Sequence, residues 1–224
     1  MVSLEEIIKD RRSGQSAILK KTVELLKGID AERRLSVCEE IAKVHKFMAG
    51  LKWLCERIRE GFDLEDIERE IEKADKEAVK YLEDLVDGKI VVTISRSHTI
   101  ERGLLKASKV IVLESFPRKE GLDMARYLKG RSVDVSIFPD CAMGYAVKVC
   151  DLAVVGADAV FKNGIINKVG TLPLALCCRH FSKDCHVIAQ PYKFLDEVYS
   201  DELKDYVFKE DMLFEFVPKE LVKI

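Results

Sequence analysis

The sequence has no run approaching the ~20 consecutive apolar residues that a membrane-spanning helix needs. It also lacks the fingerprints of several common site types. Neither GxGxxG nor GxxxxGK[ST] occurs, so there is no dinucleotide fingerprint and no P-loop. No GxSxG elbow marks a serine hydrolase, and no HxxxH or His/Cys pairing has metal-ligand spacing. The seven cysteines (38, 55, 141, 150, 177, 178 and 185) include no CxxC pair, are odd in number and sit mostly in apolar runs. They read as reduced, buried thiols rather than as a disulfide framework or a metal site. Charge of one sign is missing too: 37 basic and 39 acidic side chains leave −2, giving no general pull toward nucleic acid or an anionic membrane. The N-terminus, with Glu5, Glu6, Lys9 and Asp10, lacks the layout of a secretion signal. These absences lead us to expect a cytoplasmic chain with no membrane or direct nucleic-acid partner, no metal and no cofactor.

What is present suffices for a real core: 224 residues, 48% of them apolar, allow one large domain or two small ones. The 34% of charged residues resembles the ion-pair-rich surfaces of thermophile proteins. Residues 1–87 read as helix throughout: a short helix from about Ser3 to Asp10, a break at Ser13-Gly14, a second helix from about Gln15 to Lys27, and further helical stretches from Ala31 and from Asp63. From Ala31 to Glu60 apolar residues fall at Leu35, Cys38, Ile41, Val44, Met48, Leu51, Cys55 and Ile58, which predicts one helix with one apolar stripe. Ile67, Ile71, Ala74, Ala78, Leu82 and Leu85 do the same from Asp63 to Val86, with charges between them. Asp87-Gly88 closes the helical region.

After Gly88 the period changes. Apolar, β-rich runs at Lys89–Ser95, Lys109–Ser115, Val133–Pro139, Leu152–Phe161 and His186–Gln190 alternate with helix-like segments at His98–Ala107, Lys119–Lys129, Ala142–Val149 and Leu172–Phe181. Apolar strands separated by helices predict a parallel sheet covered on both faces. The expected fold is therefore α/β, with a helical domain at 1–87 and a Rossmann-like, mostly parallel, doubly wound sheet at 88–224. Phe214–Val217 reads as a late additional strand.

In such a sheet, ligands bind beyond the carboxyl ends of the strands. Those ends carry Ser95, Arg96, Ser97 and His98, then Glu114-Ser115, Asp140, Asp158, and Gln190 to Lys193. They form a candidate crevice, against the plainer reading that loops are polar and Ser and Thr cap helices. Ser95–Thr99 offers hydroxyls, Arg96 and amides at a helix start, and Asn167–Thr171 offers Lys168 and Gly170 before another helix. Asp158 follows an apolar strand, where partial desolvation would raise its pKa and suit it to proton transfer. It could equally brace the loop by accepting backbone N–H bonds. His98 is a candidate proton carrier or phosphate donor, whereas His45, His180 and His186 read as ordinary packed or surface residues.

The segments Glu114-Ser-Phe-Pro-Arg-Lys-Glu-Gly121, Pro139-Asp-Cys-Ala-Met-Gly-Tyr145, Val155-Gly-Ala-Asp-Ala-Val160 with Asn163-Gly164, Ile166-Asn-Lys-Val-Gly-Thr171 and Tyr192-Lys-Phe194 follow in order. They resemble "ESRPxxEG", "TDSAVGY", "VGADAIxxNGxxINKxGT" and "YKF" of the family that holds the α/β/δ subunits of translation initiation factor 2B, methylthioribose-1-phosphate isomerase and ribose-1,5-bisphosphate isomerase. Asp10-Arg-Arg-Ser-Gly14 is similar to its "DxxSG" segment. The resemblance implies a phosphorylated ligand between a helical and a Rossmann-like domain. By resemblance, Asp158 takes the place of the isomerase aspartate, Asn167 and Lys168 of the sugar-phosphate contacts, and Glu120 of a ligand-contacting glutamine. Ser13, Gly14, Arg96, Ser97, His98 and Lys193 complete the candidate ligand set.

The chain departs from the isomerases where they carry the catalytic cysteine, which is Ser95 here. It departs also at Ser13, where they carry an arginine (Arg12 is adjacent), and at Phe116, the "ESRP" arginine. A hydroxyl is far less acidic than a thiol and cannot inherit its proton chemistry. The expectation is a regulatory, initiation factor 2B-like protein binding a sugar phosphate or nucleoside monophosphate. The alternative is an aldose–ketose isomerase of a 1-phosphorylated sugar, using Asp158 with Ser95 or His98. A homodimer or higher homo-oligomer, and contact with translation initiation proteins, are implied by resemblance only.

Overall fold

The computed structural model describes residues 2–10, 13–200 and 213–224. Arg12, the neighbour considered as a substitute for the missing arginine, lies outside them. Five helices come first: α1 (Leu4–Lys9), α2 (Gln15–Lys27), α3 (Ala31–Val44), α4 (Ala49–Arg59) and α5 (Leu64–Val86). Their apolar stripes converge on one core containing Ile18, Leu19, Ile41, Leu51, Leu54 and Ile67. The expected single helix from Ala31 to Glu60 is two. No proline or glycine marks the break at 45–48, and the stripe runs through it in steps of four and three. Tertiary bonds make the break: His45 Nε2 lies 2.8 Å from the Ile7 carbonyl oxygen, and Ala49 N–H turns away to donate to the Asp158 carbonyl at 3.0 Å.

The α/β part holds a five-stranded, wholly parallel sheet in the order β3-β2-β1-β4-β7, formed by β1 (Ile90–Thr93), β2 (Lys109–Leu113), β3 (Val135–Phe138), β4 (Leu152–Gly156) and β7 (Asp184–Ile188). Alternation places successive side chains on opposite faces. Val91, Val110, Val112, Leu152 and Val154 pack with Leu82 and Val86 of α5, with α6 (His98–Gly103) and with α7 (Gly121–Lys129). Val92, Ile111, Leu113, Ala153 and Val155 pack with α8 (Met143–Val149) and α9 (Thr171–His180). The sheet is thus doubly wound, and the C-terminal half of α5 belongs to its cover. Among the described residues no helix is long and apolar enough to cross a membrane.

The run Leu152–Phe161, expected as one strand, divides after Gly156. β4 stays in the parallel sheet, while β5 (Ala159–Phe161), β6 (Gly164–Lys168) and β8 (Phe214–Pro218) build a separate antiparallel sheet in the order β5-β6-β8. The late strand at Phe214 is present, but pairs in this second sheet. Asn167 and Lys168, expected in a loop, are the last residues of β6. Continuous apolarity cannot show where a chain leaves one sheet for another; the turn Ala157-Asp158 does so by donating Asp158 N–H to the Ile166 carbonyl at 2.9 Å.

Candidate functional site

A cleft of about 340 Å³ opens where the carboxyl ends of β1, β2 and β4 face the start of α2 and the end of β6. Of the residues singled out in the sequence, Ser13, Gly14, Ser95, Arg96, Ser97, His98, Glu120, Asp158, Asn167, Lys168 and Lys193 line it, whereas Glu114, Ser115, Asp140 and Gln190 do not. Strand-end geometry collects the 95–98 loop, Glu120 and Asp158. The second sheet brings Asn167 and Lys168 over the top, and the helical part adds Ser13 and Gly14.

At the centre Glu120 Oε1 accepts a hydrogen bond from Ser95 Oγ at 3.1 Å and an ion pair from Lys168 Nζ at 2.9 Å. Both charged side chains are largely buried. Glu120 Oε2 is buried without a hydrogen-bond partner among the described residues, so Lys168 carries most of the compensation for this carboxylate. Ser95 is held there by its backbone, which is left-handed (φ 68°), with its N–H donating to Ser115 Oγ at 2.6 Å. Ser115 is left-handed too (φ 66°) and is braced by Asp140, whose Oδ1 accepts its N–H at 2.9 Å. Asp140, on the candidate list of strand-end groups, thus fixes the loop from behind.

Asp158 lies at the end of the turn leaving β4. Among the described residues its carboxylate accepts no hydrogen bond, and it is the main chain that braces the loop, through Ala49 N–H and Ile166 O. The side-chain amide of Gln15, oriented to satisfy both of its ends, donates to the same Asp158 carbonyl and accepts from Gly50 N–H. Desolvation pushes the Asp158 carboxyl up to about 6, against the opposing pull of the Lys193 and Lys168 ammonium groups. Burial also lowers the Lys193 pKa from the usual lysine range, with Asp158 and Asp75 resisting that shift.

Behind Lys193 stands a polar hub that the sequence did not reveal. Asp75, on α5 and only 3% exposed, accepts Gln190 Nε2 at 2.7 Å and Tyr192 O–H at 2.9 Å on Oδ1. Lys20 Nζ of α2 lies 2.7 Å from its Oδ2. Gln190 Nε2 also donates to Thr99 Oγ1 at 2.7 Å, so α2, α5 and the segment after β7 meet at one carboxylate and Gln190 extends the hub to α6. Asp75 falls in step with the apolar stripe of α5, four residues after Ile71 and seven before Leu82, a periodic mark that sets it apart from the exposed acids of the helix without naming its partners.

The two candidate anion loops differ in the structure. At 95–98, Arg96 Nε donates to Glu101 Oε2 at 2.8 Å and His98 Nδ1 lies 2.9 Å from Glu101 Oε1. Burial alone would raise the Glu101 pKa, but these two partners outweigh it and hold it below the ordinary glutamate value. The helix start at Thr171 is closed: Glu215 Oε1 of β8 accepts Leu172 N–H at 2.8 Å, and its carboxylate also takes the Gly170 and Thr171 amides. That helix end therefore offers no anion site, although Asn167 and Lys168 still face the cleft. A third helix start replaces it. α2 begins at Gly14 without a side-chain cap, and the Gln15 and Ser16 N–H groups have no backbone acceptor among the described residues. Arg118, Gln15, Ser16, Glu101 and Asp123 also line the cleft. Arg118 is two residues after Phe116, which is 63% exposed and outside the lining.

The family model of the initiation factor 2 subunit family matches residues 16–223. An eIF-2B subunit 2-like translation initiation factor of Pyrococcus furiosus is 33% identical over 224 residues, covering 90% of this chain and 81% of that protein. The ribose 1,5-bisphosphate isomerase of Archaeoglobus fulgidus is 34% identical over 120 residues, 53% of this chain and 38% of the enzyme. The solved structure of the Pyrococcus horikoshii OT3 translation initiation factor eIF-2B superposes with a TM-score of 0.83 at 26% identity, covering 98% of this chain and 91% of the other. A family match over nearly the whole chain, with a relative one-third identical over most of both chains, means that this protein belongs to the initiation factor 2 subunit family.

Proposed function

We propose that the chain is an initiation factor 2B-like regulatory protein that binds a phosphorylated sugar or a nucleoside monophosphate in this cleft without turning it over. The observation that carries the reading is Ser95. It stands where the related isomerases have their cysteine, and its hydroxyl is engaged by Glu120 at 3.1 Å. A serine hydroxyl ionises far above neutrality, and its neighbour here is a carboxylate, which discourages ionisation further. What remains favours binding. The uncapped start of α2 offers amides to a phosphate, Lys168 and Arg118 supply positive charge, and Glu120, Asn167 and the serines suit sugar hydroxyls. Self-association, or docking to translation initiation proteins, is part of the same reading. Ile137 on the edge strand β3 and Tyr145 and Val149 on α8 are exposed apolar groups available to it.

The test is a thermal-shift series with ribose 1,5-bisphosphate, methylthioribose 1-phosphate, AMP, GMP and inorganic phosphate. A ligand at a hundredfold excess over its Kd stabilises by about 2.7 kcal/mol, roughly 5–10 °C for a chain of this size. Lys168→Ala should weaken the shift. No shift with any of the five would remove the small-molecule site. One observation favours the isomerase reading: a carboxyl at about 6 can both give and take a proton near neutrality. Product formed from either sugar phosphate by the wild-type chain would establish that reading. Activity appearing only on Ser95→Cys would leave the regulatory one standing.

A further inference from the structure

The described cysteines are not uniformly isolated. Cys38 on α3 and Cys55 on α4 bring their sulfurs to 2.8 Å, well inside the contact distance of two non-bonded sulfur atoms and approaching the ≈ 2.05 Å of a covalent S–S bond. The placement follows from the hairpin. α3 and α4 are antiparallel neighbours joined across residues 45–48; Cys38 lies seven residues before His45, and Cys55 seven residues after Met48. Both sit on the facing apolar stripes, 0% and 6% exposed, within the core of the helical part. The pair is not a metal site, because the described residues contain no group of three or more His, Cys, Asp and Glu side chains placed to hold an ion.

We propose that Cys38 and Cys55 form an intramolecular disulfide that staples α3 to α4. The oxidant is a low-molecular-weight disulfide. The Cys55 thiolate attacks one of its sulfurs, forming a mixed disulfide and expelling one thiolate. Cys38 then gives up its proton and attacks Cys55 Sγ, which releases the second thiolate. One S–S bond breaks and one forms; the two protons from the protein end on two small thiols. Cys55 goes first because it is the more exposed of the two, and because its hydrogen bond with Cys38, helped by Arg59 one turn on, holds its pKa below the usual thiol value against the opposing effect of burial. The link closes a short loop around the hairpin turn, and that turn presents Ala49 N–H to the Asp158 carbonyl. The staple therefore stiffens the element that holds the candidate acid of the cleft from the helical side.

The full chain is equilibrated with glutathione disulfide or with dithiothreitol, alkylated under denaturing conditions and mapped by peptide mass. Thermal unfolding is followed in parallel. The expected result is a peptide linked between Cys38 and Cys55, 2 Da below the sum of the thiol forms. The oxidised chain should melt roughly 6–12 °C above the reduced one, as closure of a loop of this length gives in a protein of this size. Cys55→Ser, and separately Cys38→Ala, should melt alike in both conditions. Alkylation of both thiols after oxidation would overturn the proposal. So would a link confined to other cysteines, or a 38–55 link that leaves the melting temperature unchanged or lowers it. The mapping is read on the wild-type chain, so poor folding of either variant does not remove the test.

Discussion

Lys168 Nζ stands 2.9 Å from Glu120 Oε1, joining the end of β6 to the start of α7 across the cleft. The two residues come from different sheets' surroundings, and among the described residues neither has another ion pair. Lys168→Met should therefore destabilise the protein by about 3 kcal/mol, because it leaves Glu120 buried with only the Ser95 hydroxyl to offset it. The double variant Lys168→Met/Glu120→Gln should recover part of that loss. Urea unfolding of the four members of the cycle measures the coupling, and a coupling near zero would show that the pair is held by water instead.

Asp158 should make stability fall as pH rises. Its carboxyl lies near 6 in the folded chain and near 3.8 when unfolded, so the native state binds the extra proton between those values. Stability contributed by the neutral carboxyl is complete below about 3.8 and is lost as pH climbs through about 6. The loss amounts to at most about 3 kcal/mol. The measured quantity is the unfolding free energy of the wild type minus that of Asp158→Asn, from pH 4 to 7. It should decline across that window; a flat difference would mean that the carboxyl titrates normally.

Asp75→Asn should cost about 3–5 kcal/mol, since Lys20, Gln190 and Tyr192 all converge on this one buried carboxylate. Tyr192→Phe removes a single hydrogen bond to a charged acceptor and should cost about 1.5–3 kcal/mol. If Asp75→Asn costs no more than Tyr192→Phe, the hub is a set of independent contacts. Chemical denaturation decides between them.

Gly121 opens α7 against β2, and a Cβ there would run into the Leu113 carbonyl oxygen and Ser115 Oγ. Gly121→Ala should cost about 3 kcal/mol or more by pushing the helix start off the sheet. Glu120 would move with it, so ligand-induced stabilisation should fall as well. Retention of that stabilisation would separate the helix start from the site.

Much of the architecture is local and was legible without coordinates. Apolar steps of three and four mark the helical stretch that becomes α3 and α4, and α5, and continuous apolar runs mark β1, β2 and β4, because burial of one stripe or of two faces leaves its period in the chain. The strand-end rule then names the 95–98 loop, Asp158 and Lys193, since a parallel sheet leaves its carboxyl ends open. Motif resemblance, a different kind of signal, supplied Ser13, Gly14 and Glu120.

Other features carried no local mark. The break at 45–48 lies inside an unbroken apolar stripe and exists because His45 and Ala49 find partners on α1 and at Asp158. The departure of β5 from β4, the closure of the α9 start by Glu215, and the partners that meet Asp75 each depend on a residue far along the chain. The sequence by itself determined which segments are helix or strand and where polar groups leave the sheet, because periodicity and propensity act between near neighbours. Only the tertiary structure decided which charge is buried, which helix start stays open to an anion and which carboxylate meets which ammonium. Those outcomes depend on desolvation and on partners that folding brings from elsewhere.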